Sequence, residues 1–254
     1  MSSLPWLPWL AACASPPTTA EVTTPPHADD AVAVREIEHA GVTFRVVSVD
    51  PTRVDLDLYG HTPDGSDVHR FAELDAWLDS QGRRLIAVTN AGIFMEDLRP
   101  LGLCVERGRL VRDVNRADGY GNFYLKPNGI FWLDAAGAHV AETAAYAPTG
   151  DVRLATQSGP LVLSDGQLHP SLRADSPNVL VRSGVCVDAR GRVHLAISDA
   201  TRFYELATLF RDALGCDDGL YLDGAISQLE TRDHPVPDEL EVAFGGLLAI
   251  HAPR

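Results

Sequence analysis

From Ala31 onward, apolar and polar residues alternate in one short segment after another. Val42 to Val49 and Arg53 to Tyr59 carry the period of two expected of half-buried antiparallel strands. Leu85 to Thr89 is a continuous apolar run, as in a strand buried on both faces. Turn residues fall between such runs at Arg107-Gly108, Ala136-Gly137, Asp165-Gly166 and Asp188 to Gly191, predicting hairpins. The same rule predicts a strand from Asn122 to Leu125, a turn at Pro127-Asn128-Gly129, and a second strand from Ile130 to Leu133. Only two stretches change to helical period. Arg70 to Gln81 places Phe71, Leu74, Trp77 and Leu78 on one side and stops at Gly82. Thr201 to Leu214 buries Phe203, Leu206, Ala207 and Phe210 and stops at Gly215, with Asp199 or Thr201 as its cap and Glu205 in its first turn. The expected fold is therefore α+β: mainly antiparallel sheet with two principal helices packed on it.

Before Ala31 the pattern is different. Met1 to Cys13 is apolar and rich in Trp and Pro, and ends in Leu10-Ala11-Ala12-Cys13. That ending reads as a lipoprotein cleavage box with lipidation on Cys13, although the segment is short and has no basic beginning. Residues 14–30 are rich in Pro, Thr and Ala, as a flexible tether would be. The expected organisation is a signal over residues 1–13, a tether over 14–30 and one folded domain over 31–254. Its expected location is outside the cytoplasm, periplasmic or anchored to a membrane through Cys13.

Composition narrows the partners. The chain has 254 residues, 45% of them hydrophobic, enough for one substantial core. A formal net charge of -14 repels nucleic acid and anionic membranes, so an anionic ligand must be held by a local basic pocket. Cys104, Cys186 and Cys216 sit in apolar surroundings; two of them could pair, and the sequence does not choose which. Neither Cys-x-x-Cys nor a zinc-type His spacing occurs, and no metal or other cofactor is expected. No membrane-spanning run follows Cys13.

The candidate chemistry lies where rare polar residues collect. Lys126 is the only lysine, the other 20 basic residues all being arginine, so a compact ammonium is specifically used there. Of five asparagines, Asn115, Asn122 and Asn128 fall in or just before the same stretch, and Asn90 follows a buried strand with Gly92 close behind. Gln157, Ser158 and Gly159 end another strand; no Gly-x-Ser-x-Gly elbow surrounds Ser158, which reads as a hydrogen-bonding residue rather than a nucleophile. Arg182 stands among apolar residues, where an unpaired charge is costly, and is expected to meet a carboxylate or a ligand anion. Asp223 closes an apolar strand before Gly224, where partial burial would raise its pKa into a range useful for general acid catalysis. Asp55 and Asp57 share one face of a strand and read as a solvated outer face.

Taken in order, Asn90-Ala91-Gly92-Ile93-Phe94, Gly121 to Gly129, Ala155 to Pro160, Arg182 to Val185, Phe203 to Ala207 and Leu222 to Ser227 resemble the phosphodiester glycosidase family. The resemblance covers about residues 90–228 and is strongest to a bacterial exported branch, some members of which carry an exopolysaccharide label. It implies cleavage of the anomeric bond of a sugar-1-phosphodiester, of N-acetylglucosamine type in the uncovering enzyme, through an oxocarbenium-like transition state. It further implies that Lys126 and Arg182 hold the phosphate and that Asp223, or after it Glu205, activates water or stabilises the sugar cation. Asn90, Gly92, Asn128, Gln157, Ser158, Gly159 and Gly224 would then contact the substrate. The sequence departs from the family at Gly224-Ala225-Ile226, where relatives are richer in glycine, and at Arg202, where a small capping residue is expected. The alternative is a lipoprotein that binds a sugar phosphate or exopolysaccharide without cleaving it.

Overall fold

The computed structural model describes residues 31–254; the expected lipidation at Cys13 and the tether lie outside them. Its first eight strands are β1 (Val32–His39), β2 (Val42–Val49), β3 (Asp55–Tyr59), β4 (Arg83–Asn90), β5 (Cys104–Glu106), β6 (Arg109–Arg112), β7 (Gly129–Asp134) and β8 (Gly137–Glu142). The others are β9 (Leu154–Ser158), β10 (Leu161–Ser164), β11 (Gln167–Leu168), β12 (Leu180–Asp188), β13 (Val193–Thr201), β14 (Cys216–Tyr221), β15 (Leu229–Thr231) and β16 (Leu247–Pro253). Helix α1 (Phe71–Ser80) precedes β4, and α2 (Phe203–Thr208) follows β13 and continues as a π-helical turn over Leu209–Ala213. The hairpins at Arg107-Gly108, Ala136-Gly137, Asp165-Gly166 and Asp188 to Gly191 form, with Arg107 and Asp165 at positive φ before their glycines.

The strands make three antiparallel sheets: β1-β2-β13-β12-β14-β10-β11, β15-β4-β16-β3 and β6-β5-β9-β7-β8. One core joins all three. Val185, Leu195 and Leu220 of the first meet Leu56, Ala87 and Leu248 of the second and Phe131, Leu133 and Leu154 of the third. The opposite face of the first sheet is covered by α2 and its π turn, through Leu206, Ala207, Leu209 and Phe210. Helix α1 covers the second sheet with Phe71, Leu74 and Leu78. Strand makes up 44% of the structure and helix 12%, so the expected antiparallel sheet and two helices are present, but the sheets form most of the body.

Two local expectations are corrected. Asn122 to Leu125 is not a strand; Asn122–Tyr124 is a 3-10 turn. Gly121 enters it at φ 96°, Phe123 is buried, and the Tyr124 ring folds over Gly119, where a Cβ would lie 2.6 Å from the ring. The Asn128 side chain then takes the Phe123 carbonyl at 2.9 Å, a backbone group that a strand would have paired with a neighbour. Asp57 is not solvated either. It accepts from His251 Nε2 at 3.1 Å and lies 3.3 Å from Arg153 Nε, and these partners hold its carboxyl below the usual range against the effect of burial. The cysteine pair left open is Cys186–Cys216, tying β12 to β14, while Cys104 is free and buried.

Candidate functional site

Most residues of the sequence motifs meet where β4, β9 and β14 end and β12 begins. Asn90, the last residue of β4, donates from Nδ2 to Ser183 Oγ at 3.1 Å and accepts at Oδ1 from the Gln228 amide at 3.3 Å. Ser183 Oγ is 2.8 Å from Ser227 Oγ, and the Ser183 amide donates to the Asp223 carbonyl at 3.0 Å. Asp223 thus follows β14 directly across from the residue next to Arg182. Ser158, ending β9, donates to the Leu222 carbonyl at 2.7 Å, which fixes the same loop from its other side.

Many of the polar motif residues are engaged within the protein. Gln157 is 1% exposed; its Oε1 accepts from the amides of Leu103 and Asn115, and its Nε2 donates to the Asn115 carbonyl and Thr143 Oγ1. With every donor and acceptor in use, Gln157 staples the chain after β6 to β9 and has no capacity left for a ligand. Asn128 does similar work on the 3-10 turn. The glycines allow close approach: a Cβ on Gly92 would lie 2.4 Å from the Gln157 carbonyl, and one on Gly159 would lie 2.6 Å from the Phe123 carbonyl.

The charged members are different. Arg182 is fully buried, with its guanidinium carbon 3.7 Å from the centre of the Phe203 ring, the first residue of α2. Nε donates to the Thr201 carbonyl at 3.0 Å and Nη2 to Asn178, through both its carbonyl and its side chain. No carboxylate among the described residues forms an ion pair with it, and Nη1 reaches no hydrogen-bond acceptor. Of the two expected partners, a carboxylate or a ligand anion, no carboxylate is in contact; burial lowers the Arg182 pKa, with Tyr221 and the Glu205 charge acting the other way. An unsatisfied guanidinium N–H inside a protein carries a large desolvation cost unless something else completes it.

Asp223 accepts from the Gly224 amide at 2.7 Å through Oδ1, and Oδ2 has no hydrogen-bond partner among the described residues. Burial raises its pKa, with the Gly224 amide opposing. The Tyr221 hydroxyl feels both charges: burial and the Asp223 carboxylate push its pKa up, while Arg182 and Asn122 act the other way. Gly224 leaves room for that hydroxyl, since a Cβ there would lie 2.5 Å from it. Glu205 is held by Arg202, whose backbone amide donates to Oε2 and whose Nη1 donates to Oε1, both at 3.0 Å. The unexpected arginine therefore clamps Glu205 against the helix start, and neither Asp199 nor Thr201 is the cap.

Lys126 stands apart. Its ammonium pairs with the Asp118 carboxylate and faces a cavity of about 280 Å3 lined by Arg116, Asn128, Glu142 and Thr143. No hydrogen bond or ion pair among the described residues joins it to Arg182 or Asp223; Asn122, four residues earlier, makes the connection to Tyr221. Beside Ser227 and Gln228 a second cavity, about 270 Å3, opens toward Val181 and Ser198. Sequence reasoning did not single out Ser183, Ser227, Asn178, Phe203 or Tyr221 for the site. The period of two does place Tyr221 on the face of Arg182, because β12 and β14 pair Gly184 with Tyr221.

Comparison with known proteins places this geometry. Residues 83–230 match the phosphodiester glycosidase family. The uncharacterized protein YigE of Escherichia coli (strain K12) is 29% identical over 197 residues, 77% of each chain. Among solved structures, the zebrafish N-acetylglucosamine-1-phosphodiester alpha-N-acetylglucosaminidase catalytic domain, auto-inhibited by its pro-peptide, superposes with a TM-score of 0.61 at 17% identity. That match covers 89% of this chain and 85% of the zebrafish one. A Synechocystis protein gives a TM-score of 0.54 at 13% identity, over 87% of this chain and 62% of its own. At these identities the structural matches speak for the fold.

Proposed function

Since the chain belongs to the phosphodiester glycosidase family, we propose that it hydrolyses the anomeric bond of a sugar-1-phosphodiester, with Arg182 and Asp223 at the centre of the reaction. The observation that carries this reading is the fully buried guanidinium, whose Nη1 has no acceptor among the described residues, one residue along β12 from Ser183, whose amide donates to the Asp223 carbonyl. A phosphodiester oxygen on Nη1 would complete the guanidinium and neutralise the charge that builds on the leaving phosphate as the glycosidic bond breaks. Asp223, with Oδ2 free, would activate the attacking water or stabilise the sugar cation, and burial raises its pKa in the direction that favours a proton-transfer role. Glu205, with both oxygens bound by Arg202, is assigned to holding α2 and, through it, Phe203 beneath the guanidinium. Lys126 would attract the aglycone side of the substrate from the neighbouring cavity. Gln157, Asn128 and Ser158 hold the loops in place, and Asn90 orients Ser183 behind Asp223.

The sugar proposed is of N-acetylglucosamine type, and the cellular location is the envelope with a lipid on Cys13. A structural disulfide at Cys186–Cys216 supports an oxidising compartment. The test is reducing-sugar release from a panel of sugar-1-phosphodiesters that includes the N-acetylglucosamine compound, for wild type and Asp223→Asn. Release that the substitution abolishes is the expected result. Tight binding of the same compounds without release would leave a sugar-phosphate-binding protein instead.

A further inference from the structure

A cavity of about 370 Å3, larger than those beside Lys126 and Ser227, lies at the other end of the seven-stranded sheet. Arg35 of β1, Ser48 of β2, Asp188 closing β12, Arg190 and Arg192 in the hairpin turn, and His194 of β13 form its wall, with the end of the π turn closing it. Six residues of extended strand separate Asp188 from Arg182, about 20 Å, so this cavity is not part of the site above.

Its charge is the reverse of the protein's. Three guanidinium groups and one carboxylate line it, in a chain of net charge -14. That carboxylate is already in use: Asp188 Oδ1 accepts from the backbone amides of Arg190 and Arg192 at 2.9 and 3.0 Å, and Oδ2 accepts from His194 Nε2 at 3.3 Å. His194 Nδ1 in turn takes the Ser48 hydroxyl at 2.8 Å, and burial lowers its pKa, so the imidazole stays neutral and adds no charge. Arg35 Nε is buried without an acceptor among the described residues. Proximity to a helix end, which favours cations, does not account for Arg35, because no helix carbonyl receives its Nε–H.

Guanidinium groups of two half-buried arginines and one exposed one, around a cavity that also has room for one sugar-sized body, match a phosphate ester. We infer that the Arg35–Arg190–Arg192 cavity is a second binding site, for a phosphate monoester on a compact polar body such as a hexose. The ester oxygens would take the Arg35 and Arg190 guanidinium groups, and the hydroxyl-bearing body would lie against Ala213, Leu214 and Gly215.

The test is a titration of the full chain with a hexose 6-phosphate and, separately, with inorganic phosphate, followed by backbone amide NMR shifts. Saturable shifts at Gly191 and Gly215 are expected, at least about tenfold tighter for the ester than for inorganic phosphate. Combining Arg35→Gln with Arg190→Gln should weaken this binding about tenfold or more while shifts at Gly224 and sugar release stay as in wild type. Absence of saturable shifts at Gly191 and Gly215, or shifts that survive both substitutions, would overturn the site. Equal affinity for the ester and inorganic phosphate would overturn its assignment to an ester. The readout does not require hydrolysis, so it separates this inference from the glycosidase reading.

Discussion

The Arg182 guanidinium stacks on the Phe203 ring at 3.7 Å, joining the start of α2 to the middle of the largest sheet. The ring face supplies the favourable electrostatics that a carboxylate would otherwise provide, and does so without neutralising the cation. Positive charge therefore remains for a ligand.

Arg182→Lys should not restore function, because an ammonium cannot stack in the plane of the ring and reach Thr201, Asn178 and a phosphate together. We expect kcat/KM for sugar-1-phosphodiester hydrolysis to fall about a hundredfold or more. Phe203→Leu keeps the guanidinium but removes the stacking, and about a tenfold loss is expected. Lysine working as well as arginine would remove Arg182 from the proposed chemistry.

Asp223→Asn is expected to lower kcat by about 10²- to 10⁴-fold with little change in KM. Its effect on stability has the opposite sign. Burial raises the Asp223 pKa in the folded protein, so between the ordinary carboxylate value of 3.8 and that raised value the folded state binds more protons than the unfolded one. Stability from this group is therefore greatest at low pH and falls as pH rises through that window. The Asn variant should melt above wild type at pH 7, with the gap closing as pH falls below the ordinary range. Thermal melts of both proteins from pH 3 to 8 check this, and a variant that melts lower at pH 7 would contradict it.

Gln157→Leu leaves the amides of Leu103 and Asn115 without their buried acceptor. A loss of about 2–5 kcal/mol in unfolding free energy is expected from urea melts. A loss below about 1 kcal/mol would mean that these amides find other partners.

Gly224→Ala would push a methyl group against the Tyr221 hydroxyl. Tyr221→Phe removes that oxygen, so the double variant should be more stable than the alanine variant alone. A double-mutant cycle with coupling of about 1 kcal/mol or more is the expected outcome; strict additivity would show that the loop after Asp223 moves freely.

The Cys186–Cys216 bond closes a chain separation of 30 residues between neighbouring strands. Replacing both cysteines by serine should cost about 2–4 kcal/mol, read from denaturant melts under non-reducing conditions. An unchanged midpoint would show that the β12–β14 ladder alone holds this end of the sheet.

The alternation of apolar and polar residues, with glycine-bearing turns and two stretches of helical period, was sufficient to determine four hairpins, the antiparallel sheet and both helices, because these depend on which neighbours share a face; it failed at Asn122 to Leu125, where a 3-10 turn forms. The single lysine and the scarce asparagines stood out in the sequence because rare residue types need no structure to be noticed, yet Lys126 pairs with Asp118 and Asn128 holds the Phe123 carbonyl. Sequence also required Arg182 to have a partner. Tertiary structure decided what that partner is. Phe203 follows Arg182 by 21 positions and Tyr221 by 39, and only the pairing of β12 with β13 and β14 and the return of α2 over their face bring the three together. The same limit explains Gln157 and Asp57: a polar residue looks alike in sequence whether its partners are water, ligand or distant backbone, and only packing assigns those partners.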